Sequence, residues 1–433
     1  MRIWFLVCIV LASTSCRPKQ PIAVEIREAD QTYALYRGGE PYFIKGAVVF
    51  DKYLDRLAAY GGNSIRKGQM DIKELNEVHK LDLSVLYNLP VKAQRDGMDY
   101  NNRDAVALQH KQIIEMVNKY KKHPAILMWS LGNELDFIPG NHSYNLKVWD
   151  AVNDLAKEIK SIDPYHPVLT VVGSINIQKI EILNEKCPNI DLLGVNEYGD
   201  LDKIPAWLRE FGWTKPYVFT EWGPTGFWQV PNTQWGVPIE ESSTEKAHDY
   251  KYRYEKTILT DVERCLGSYV FLWHQHQERT HTWFGMFDEN GLETASVNVM
   301  RNVWTGTWPD NHAPAIHAMR INEKSAYDNP VFAPNEIVMA SLSASDPDGD
   351  TLTFRWEILH EGLDFPYGGD GEQKPPSIDG ILDPKDLNMV SVRIPADTGM
   401  YRLFAYIYDG NGAFATANIP FLVTHEDLVV KQP

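Results

Sequence analysis

From residue 40 to 305 the chain alternates short apolar runs with amphipathic stretches. The runs are YFIKGAVV (42–49), NSIR (63–66), LSVLY (83–87), ILMWSL (126–131), VLTVV (168–172), IDLLGVN (190–196), YVFT (217–220) and SYVFLW (268–273). Apolar runs of this length read as strands buried on both faces, as in a parallel sheet. The stretches between them carry helical spacing. In DAVALQHKQIIEMVNKYKKHP, Asp104 offers an N-cap, basic residues fill the last turn, and Pro124 stops the helix. Eight strands alternating with helices predict an α/β fold, a (β/α)8 TIM barrel. The run Ile126 to Leu131 stops at Asn133-Glu134, which sets a carboxylate at the end of a buried strand, where desolvation penalises charge.

A boundary falls at WTGTWPDNHAPAI (304–316), rich in Pro, Gly and Asn. Beyond it the period changes to two, as in TLTFRWEIL (351–359), VSVRI (390–394) and YRLFAYIYD (401–409), with DPDGD and DGNG turns. This pattern predicts a small all-β sandwich. SASDPDGDTLTFRWEIL and YDGNGAFATANIPFLV resemble bacterial Ig-like modules of the PKD or cadherin-like type. In DPDGD, Asp346, Asp348 and Asp350 could ligate Ca²⁺, or simply build a tight turn. The start, MRIWFLVCIVLASTSCRPKQP, pairs Arg2 with an apolar stretch too short to span a bilayer, then small residues and Cys16. It reads as a lipoprotein-type leader (1–16) ending at a lipidated Cys16, or as an ordinary secretory signal. The expected order is therefore leader 1–16, linker 17–35, barrel 36–308 and Ig-like sandwich 309–433.

Composition narrows the function. A formal net charge of −16 argues against a nucleic-acid partner. No segment beyond the leader is long and apolar enough to cross a membrane, so membrane contact is expected only through Cys16. Cys187 and Cys265 read as single buried thiols, and no spacing suggests a zinc site. His274 and His276 in HQHQERTH could share a face, but no third metal ligand is evident. No cofactor or metal is expected, and the sequence does not address the oligomeric state. Nine of the 13 tryptophans fall between Trp207 and Trp308, and flat aromatic faces suit sugar rings as well as cores.

In a (β/α)8 barrel the C-terminal strand ends form the active face, so polar residues just after strands are candidates. The fourth strand ends in Asn133-Glu134 and the seventh, YVFTEWG, in Glu221. Two carboxyl groups converging across one rim are what glycosidic cleavage needs. WSLGNE and TEWG, with GGNSIR and LLGVNEYG, resemble the barrel of glycoside hydrolase family 2, within clan A of the retaining glycosidases. The resemblance covers residues 36–305. It implies Glu134 as general acid/base and Glu221 as nucleophile. It further implies Asn133 on the sugar 2-hydroxyl, Tyr198 hydrogen-bonded to Glu221, Arg66 helping to keep Glu221 ionised, and Trp273 flooring the subsite of the cleaved sugar. Trp222, Trp228, Trp235 and Trp283, on loops after the seventh and eighth strands, could form a sugar platform. Each of these also has a plain reading, as a rim ion pair for Arg66 and as packing for the aromatic residues.

Two departures shape the expected activity. The family usually carries β-domains ahead of the barrel, and about 20 residues leave no room for them here. After Arg66 the sequence reads KGQ instead of a His-containing stretch. The first favours a more open cleft and the second speaks against the family's non-reducing-end contacts, so the expectation is a retaining β-glycoside hydrolase or transglycosylase on a β-linked, β-glucan-like poly- or oligosaccharide at the bacterial cell envelope. The alternatives are an exo-acting β-galactosidase or β-glucuronidase type, or a non-catalytic glycan-binding envelope lipoprotein. Neither replaces the carbohydrate partner.

Overall fold

The protein is described here by a computed structural model covering residues 21–50, 52–138, 143–362, 372–383 and 387–425. The expected leader, with Cys16, lies outside these residues. Eight parallel strands close into a barrel: β4 (Ile44–Val48), β5 (Ser64–Gly68), β6 (Ser84–Leu89), β7 (Ile126–Leu131), β8 (Val168–Gly173), β9 (Leu192–Asn196), β10 (Tyr217–Trp222) and β11 (Cys265–Val270). They follow chain order around the ring, and β11 closes onto β4. The ring of helices comprises α1 (Leu54–Ala59), α2 (Ile72–Lys80), α3 (Arg103–Tyr120), α4 (Lys147–Ile162), α5 (Ile177–Lys186), α6 (Ile204–Glu210), α7 (Ser243–Arg253) and α8 (Ala295–Thr305). β7 is buried at all six positions, as a strand covered on both faces must be. Among the described residues no helix is long and apolar enough to cross a membrane.

Three local readings need correction. The cap of α3 is Asn102, whose Oδ1 accepts the N–H groups of Asp104 and Ala105; Asp104 lies in the first turn, where its charge meets the positive end of the helix. The eighth strand is Cys265–Val270, not 268–273. The strand starts three residues earlier and includes Gly267, where a Cβ would lie 2.2 Å from the Ile44 carbonyl oxygen across the strand pair. Residues expected as a linker form an antiparallel hairpin, β1 (Val24–Ala29) and β2 (Thr32–Arg37), extended by β3 (Glu40–Pro41). Its turn places Asp30 and Gln31 at positive φ, as two-residue hairpin loops require. Val24 and Leu35 pack with Ile44, Leu86, Leu127 and Leu169, and the hairpin bonds to the backbone of Tyr165 and Glu263, just before β8 and β11. It therefore closes the N-terminal mouth, opposite the rim that carries Glu134 and Glu221.

Beyond α8 lies an all-β unit of two sheets. One has the order β12 (Ala315–Ile321), β14 (Ile337–Ser345), β17 (Met389–Arg393); the other runs β13 (Val331–Phe332), β19 (Phe414–Val423), β18 (Gly399–Tyr408), β15 (Thr353–His360), β16 (Ser377–Ile378). Val338, Val390, Ile358, Leu403 and Ile419 from both sheets share one core. In the DPDGD turn, Asp346 Oδ1 accepts the N–H groups of Asp348 and Asp350, and Asp348 engages His312. Among the described residues these three aspartates are the only group of three or more His, Cys, Asp or Glu whose ligand atoms all lie within 4.8 Å of one another. Cys187 and Cys265 are buried free thiols.

The β unit is joined to the barrel by buried polar contacts. Glu240 accepts from Lys246 Nζ (2.5 Å), Thr280 (2.7 Å), Thr282 (2.8 Å) and Asn418 Nδ2 (2.8 Å). Arg402 on β18 donates to the Pro238 carbonyl at 2.9 Å and to Glu361. A buried charge left without such partners would carry a penalty of several kcal/mol, roughly.

Candidate active site

The rim residues converge. β7 ends at Leu131, and Gly132 (φ 74°) and Glu134 (φ 46°) turn the chain sharply over the barrel mouth. A left-handed conformation at a non-glycine residue is held only when its surroundings over-determine it. Here the Glu134 N–H donates to the Val171 carbonyl on β8 at 3.0 Å. Its carboxyl group lies over Gly173, where an added Cβ would come within 2.8 Å of it. Asn196, the last residue of β9, donates from Nδ2 to Glu134 Oε1 (2.8 Å) and to Asn133 Oδ1 (3.1 Å). The Thr220 hydroxyl donates to Asn196 Oδ1 at 2.7 Å, which fixes the amide orientation.

Glu221 sits on β10, facing the same mouth. Arg66, at the middle of β5 and with only 2% of its side chain exposed, places Nη1 2.6 Å from Glu221 Oε1. Its Nη2 donates to Asn133 Oδ1 at 2.6 Å. The Tyr198 hydroxyl donates to Glu221 Oε2 at 3.2 Å. Burial, followed by the Glu221 and Glu278 charges, pushes the Tyr198 hydroxyl well above its ordinary range, so it remains a donor. Asn133, Glu134, Arg66, Tyr198, Asn196 and Glu221 thus form one connected network.

The two carboxyl groups occupy different electrostatic settings. Burial, and next the charge of Glu221, push Glu134 up to about 7, with the Asn196 hydrogen bond opposing the shift. Asp136 adds to it, and Lys179, 2.6 Å from Asp136, offsets it. A carboxyl group so placed carries a proton near neutrality and faces a carboxylate gripped by a guanidinium and a phenol.

The aromatic residues separate into those at the cleft and those in the core. Trp228 is 52% exposed and stands edge-on to Tyr198, ring centroids 5.4 Å apart. Trp222 is fully buried instead, packed on Tyr250 and Tyr254 behind the barrel. Strand alternation dictates this: with Glu221 turned inward, Trp222 must turn outward. Trp273 is also fully buried, among Tyr60, Phe287 and Trp304, with Nε1 bonded to the Tyr53 carbonyl. Its ring is enclosed by these neighbours and presents no open face at the mouth. Half-buried Phe271, directly after β11, lies nearer the catalytic network, its ring centroid 6.0 Å from that of Tyr198. Trp283 is buried in the cluster with Tyr198 and Phe284 and donates to the Thr225 carbonyl, so it supports Tyr198 and offers no open face. Trp235 is half-buried. Sequence reasoning missed Asn196 and Phe271. Asn196 stands inside LLGVNEYG as a polar strand-terminal residue and was legible there, whereas Phe271 was masked by the three-residue shift of β11.

Residues 80–230 match the family described as glycosyl hydrolases family 2, TIM barrel domain, a stretch that includes Glu134, Tyr198 and Glu221. A β-glucuronidase of Paenibacillus borealis is 25% identical over 241 residues, 49% of this chain and 36% of that protein. The human β-glucuronidase is 28% identical over 162 residues, 32% of this chain and 22% of that protein. The chain thus spans about a third or less of the length of these curated relatives. In fold it is similar to a Bacteroides uniformis β-glucuronidase (TM-score 0.50, 15% identity, 93% of this chain and 48% of that one). It is likewise similar to a Bifidobacterium dentium β-glucuronidase (TM-score 0.51, 18% identity, 66% of this chain and 50% of that one). The eight-stranded rim that gathers Glu134 and Glu221 is therefore similar to the TIM barrel domain of glycosyl hydrolases family 2.

Proposed function

We propose that the protein is a retaining β-glycoside hydrolase working by double displacement. The observation that carries this reading is the unequal pair: Glu134, raised to about 7, facing Glu221 in the grip of Arg66 and Tyr198. Glu221 attacks the anomeric carbon while Glu134 gives its proton to the departing oxygen. A glycosyl ester on Glu221 results. Its formation removes the Glu221 charge, so the pKa of Glu134 falls and it can take a proton from water. That water attacks the same carbon, and Glu221 leaves as a carboxylate with the β configuration restored. Asn133 holds the 2-hydroxyl, and Phe271 and Trp228 offer faces to the sugar.

The curated relatives named above favour an exo-acting, β-glucuronidase-like glycosidase. A second reading, endo-action or transglycosylation on a β-glucan-like chain, draws on Trp228, whose exposed ring extends the sugar-contacting surface outward from Tyr198. In the same proposal the C-terminal two-sheet unit is Ig-like, and Cys16 is the lipid anchor of an exported bacterial envelope protein. Cys16→Ala would then move the protein from the membrane to the soluble fraction.

The test uses β-glycosides with good and poor leaving groups. Glu221→Ala abolishes turnover, and azide restores it with an α-glycosyl azide as product. Glu134→Ala loses about 10²–10⁴-fold on poor leaving groups and much less on dinitrophenyl glycosides. Wild-type activity in both variants would refute the assignment.

A further inference from the structure

Lys179 stands in the first turn of α5, just inside the cap formed by Asn176. A cation there meets the positive end of the helix, so α5 itself gains nothing from it. Its partners lie outside the helix. The ammonium sits 2.6 Å from Asp136 Oδ2 and donates to the carbonyl oxygens of Gly173 and, at 3.0 Å, of Ser174. One side chain thus engages the loop after β7 and the end of β8 together.

These partners frame the acid. Asp136 is two residues beyond Glu134, and Gly173 is the position where an added Cβ would come within 2.8 Å of the Glu134 carboxyl group. Each of the two turns holds a non-glycine residue in the left-handed region, Glu134 at φ 46° and Ser174 at φ 36°. Such conformations persist only where neighbouring contacts hold them. The Glu134 N–H donates to the Val171 carbonyl at 3.0 Å, and the Ser174 N–H donates to the Asn196 carbonyl at 3.2 Å. Lys179 adds the link between the two turns. Asp136 in turn depends on the lysine. Its side chain is 6% exposed, and its Oδ1 is buried without a hydrogen-bond partner among the described residues. A buried carboxylate deprived of its cation is strongly destabilised.

Resting on the glycosidase reading above, we propose that Lys179 and Asp136 are a positioning pair for the general acid, the lysine clamping the turn that carries Glu134 onto the end of β8. The pair also acts through its charges. After the larger effects of burial, Glu221 and Asn196, Asp136 pushes Glu134 up and Lys179 draws it down. The other titratable groups facing Glu134 are Glu221 on β10 and Tyr198 after β9, whose hydroxyl feels the Glu134 charge, while Arg66 on β5 reaches it through Asn133 and Glu221. Tyr144 faces Asp136 from the other side. Without Lys179 the acid therefore keeps its proton to higher pH, and without Asp136 it loses it at lower pH.

The experiment compares Lys179→Met, Asp136→Asn and the double variant with the wild type on the full soluble chain. The substrates are the 4-methoxyphenyl and 2,4-dinitrophenyl β-glycosides of glucose, galactose and glucuronic acid, using the sugar the wild type hydrolyses. On the methoxyphenyl glycoside the alkaline limb of kcat/KM moves up by about half a pH unit or more in Lys179→Met and down by a similar amount in Asp136→Asn. In the double variant, which leaves no unpaired buried charge, the limb returns to within about 0.2 unit of wild type. Its kcat on that glycoside stays about 10-fold or more below wild type because the clamp is lost, while the dinitrophenyl glycoside is spared. A limb that stays in place in both single variants overturns the proposal, as does an equal loss on both glycosides. Either result leaves the glycosidase reading intact if Glu134→Ala still shows its selective loss. No turnover of any glycoside by the wild type overturns both readings.

Discussion

Glu134 is where the physical chemistry is most exposed to test. Its raised pKa comes first from burial and next from the Glu221 charge, with Asp136 adding to them, and the Glu221 charge can be removed without disturbing the packing. The acid must carry its proton to act, so kcat/KM on poor leaving groups falls tenfold per pH unit above about 7. In Glu221→Gln the charge is gone, and a carbon-detected NMR titration finds the Glu134 midpoint lowered. A midpoint unchanged by that substitution would show that the Glu221 charge does not raise it. The sequence made both carboxyl residues legible, because each closes an apolar run. It did not reveal Asn196 as the residue that orients Glu134, since that role depends on a contact between strands far apart in the chain.

At the level of the element, strand ends and the turns after them decide what reaches the mouth. Alternation places Glu221 inward and consigns Trp222 to the helix layer, a consequence readable from the strand boundary once that boundary is known. The boundary of β11 was not readable, because Gly267 is required by close approach to β4, a tertiary fact. The error of three residues put Trp273 where Phe271 stands. Gly173 at the end of β8 offers a direct check on how closely the elements pack around the acid. A Cβ there would meet the Glu134 carboxyl group at 2.8 Å. Gly173→Ala should lower kcat on poor leaving groups about 100-fold, as misplacement of about 1 Å does. Dinitrophenyl glycosides are spared, and the thermal unfolding midpoint stays within a few degrees of wild type. An equal loss on both substrate classes would show that the substitution acts on more than Glu134.

For the whole molecule, the barrel is a frame closed below and gripped from the side. The β1–β2 hairpin closes the lower mouth with Val24 and Leu35, and the C-terminal unit anchors the β11 loop through Arg279, Glu361 and Tyr406. The alternation of β1 and β2 was present in VEIREADQTYALYR, yet its shortness and position before the barrel made it read as a linker. The grip was not legible at all, because Glu361 and Arg279 are ion-paired across a boundary that composition presents as a separation. The central claim, that Glu221 forms a covalent glycosyl ester, is tested most directly by mass spectrometry. The protein is treated with a 2-deoxy-2-fluoro β-hexosyl fluoride of a sugar it turns over, digested and mapped. The account predicts one stoichiometric glycosyl adduct, on the peptide containing Glu221. An adduct at another residue, or turnover of that sugar with an inverted anomeric product, would contradict it.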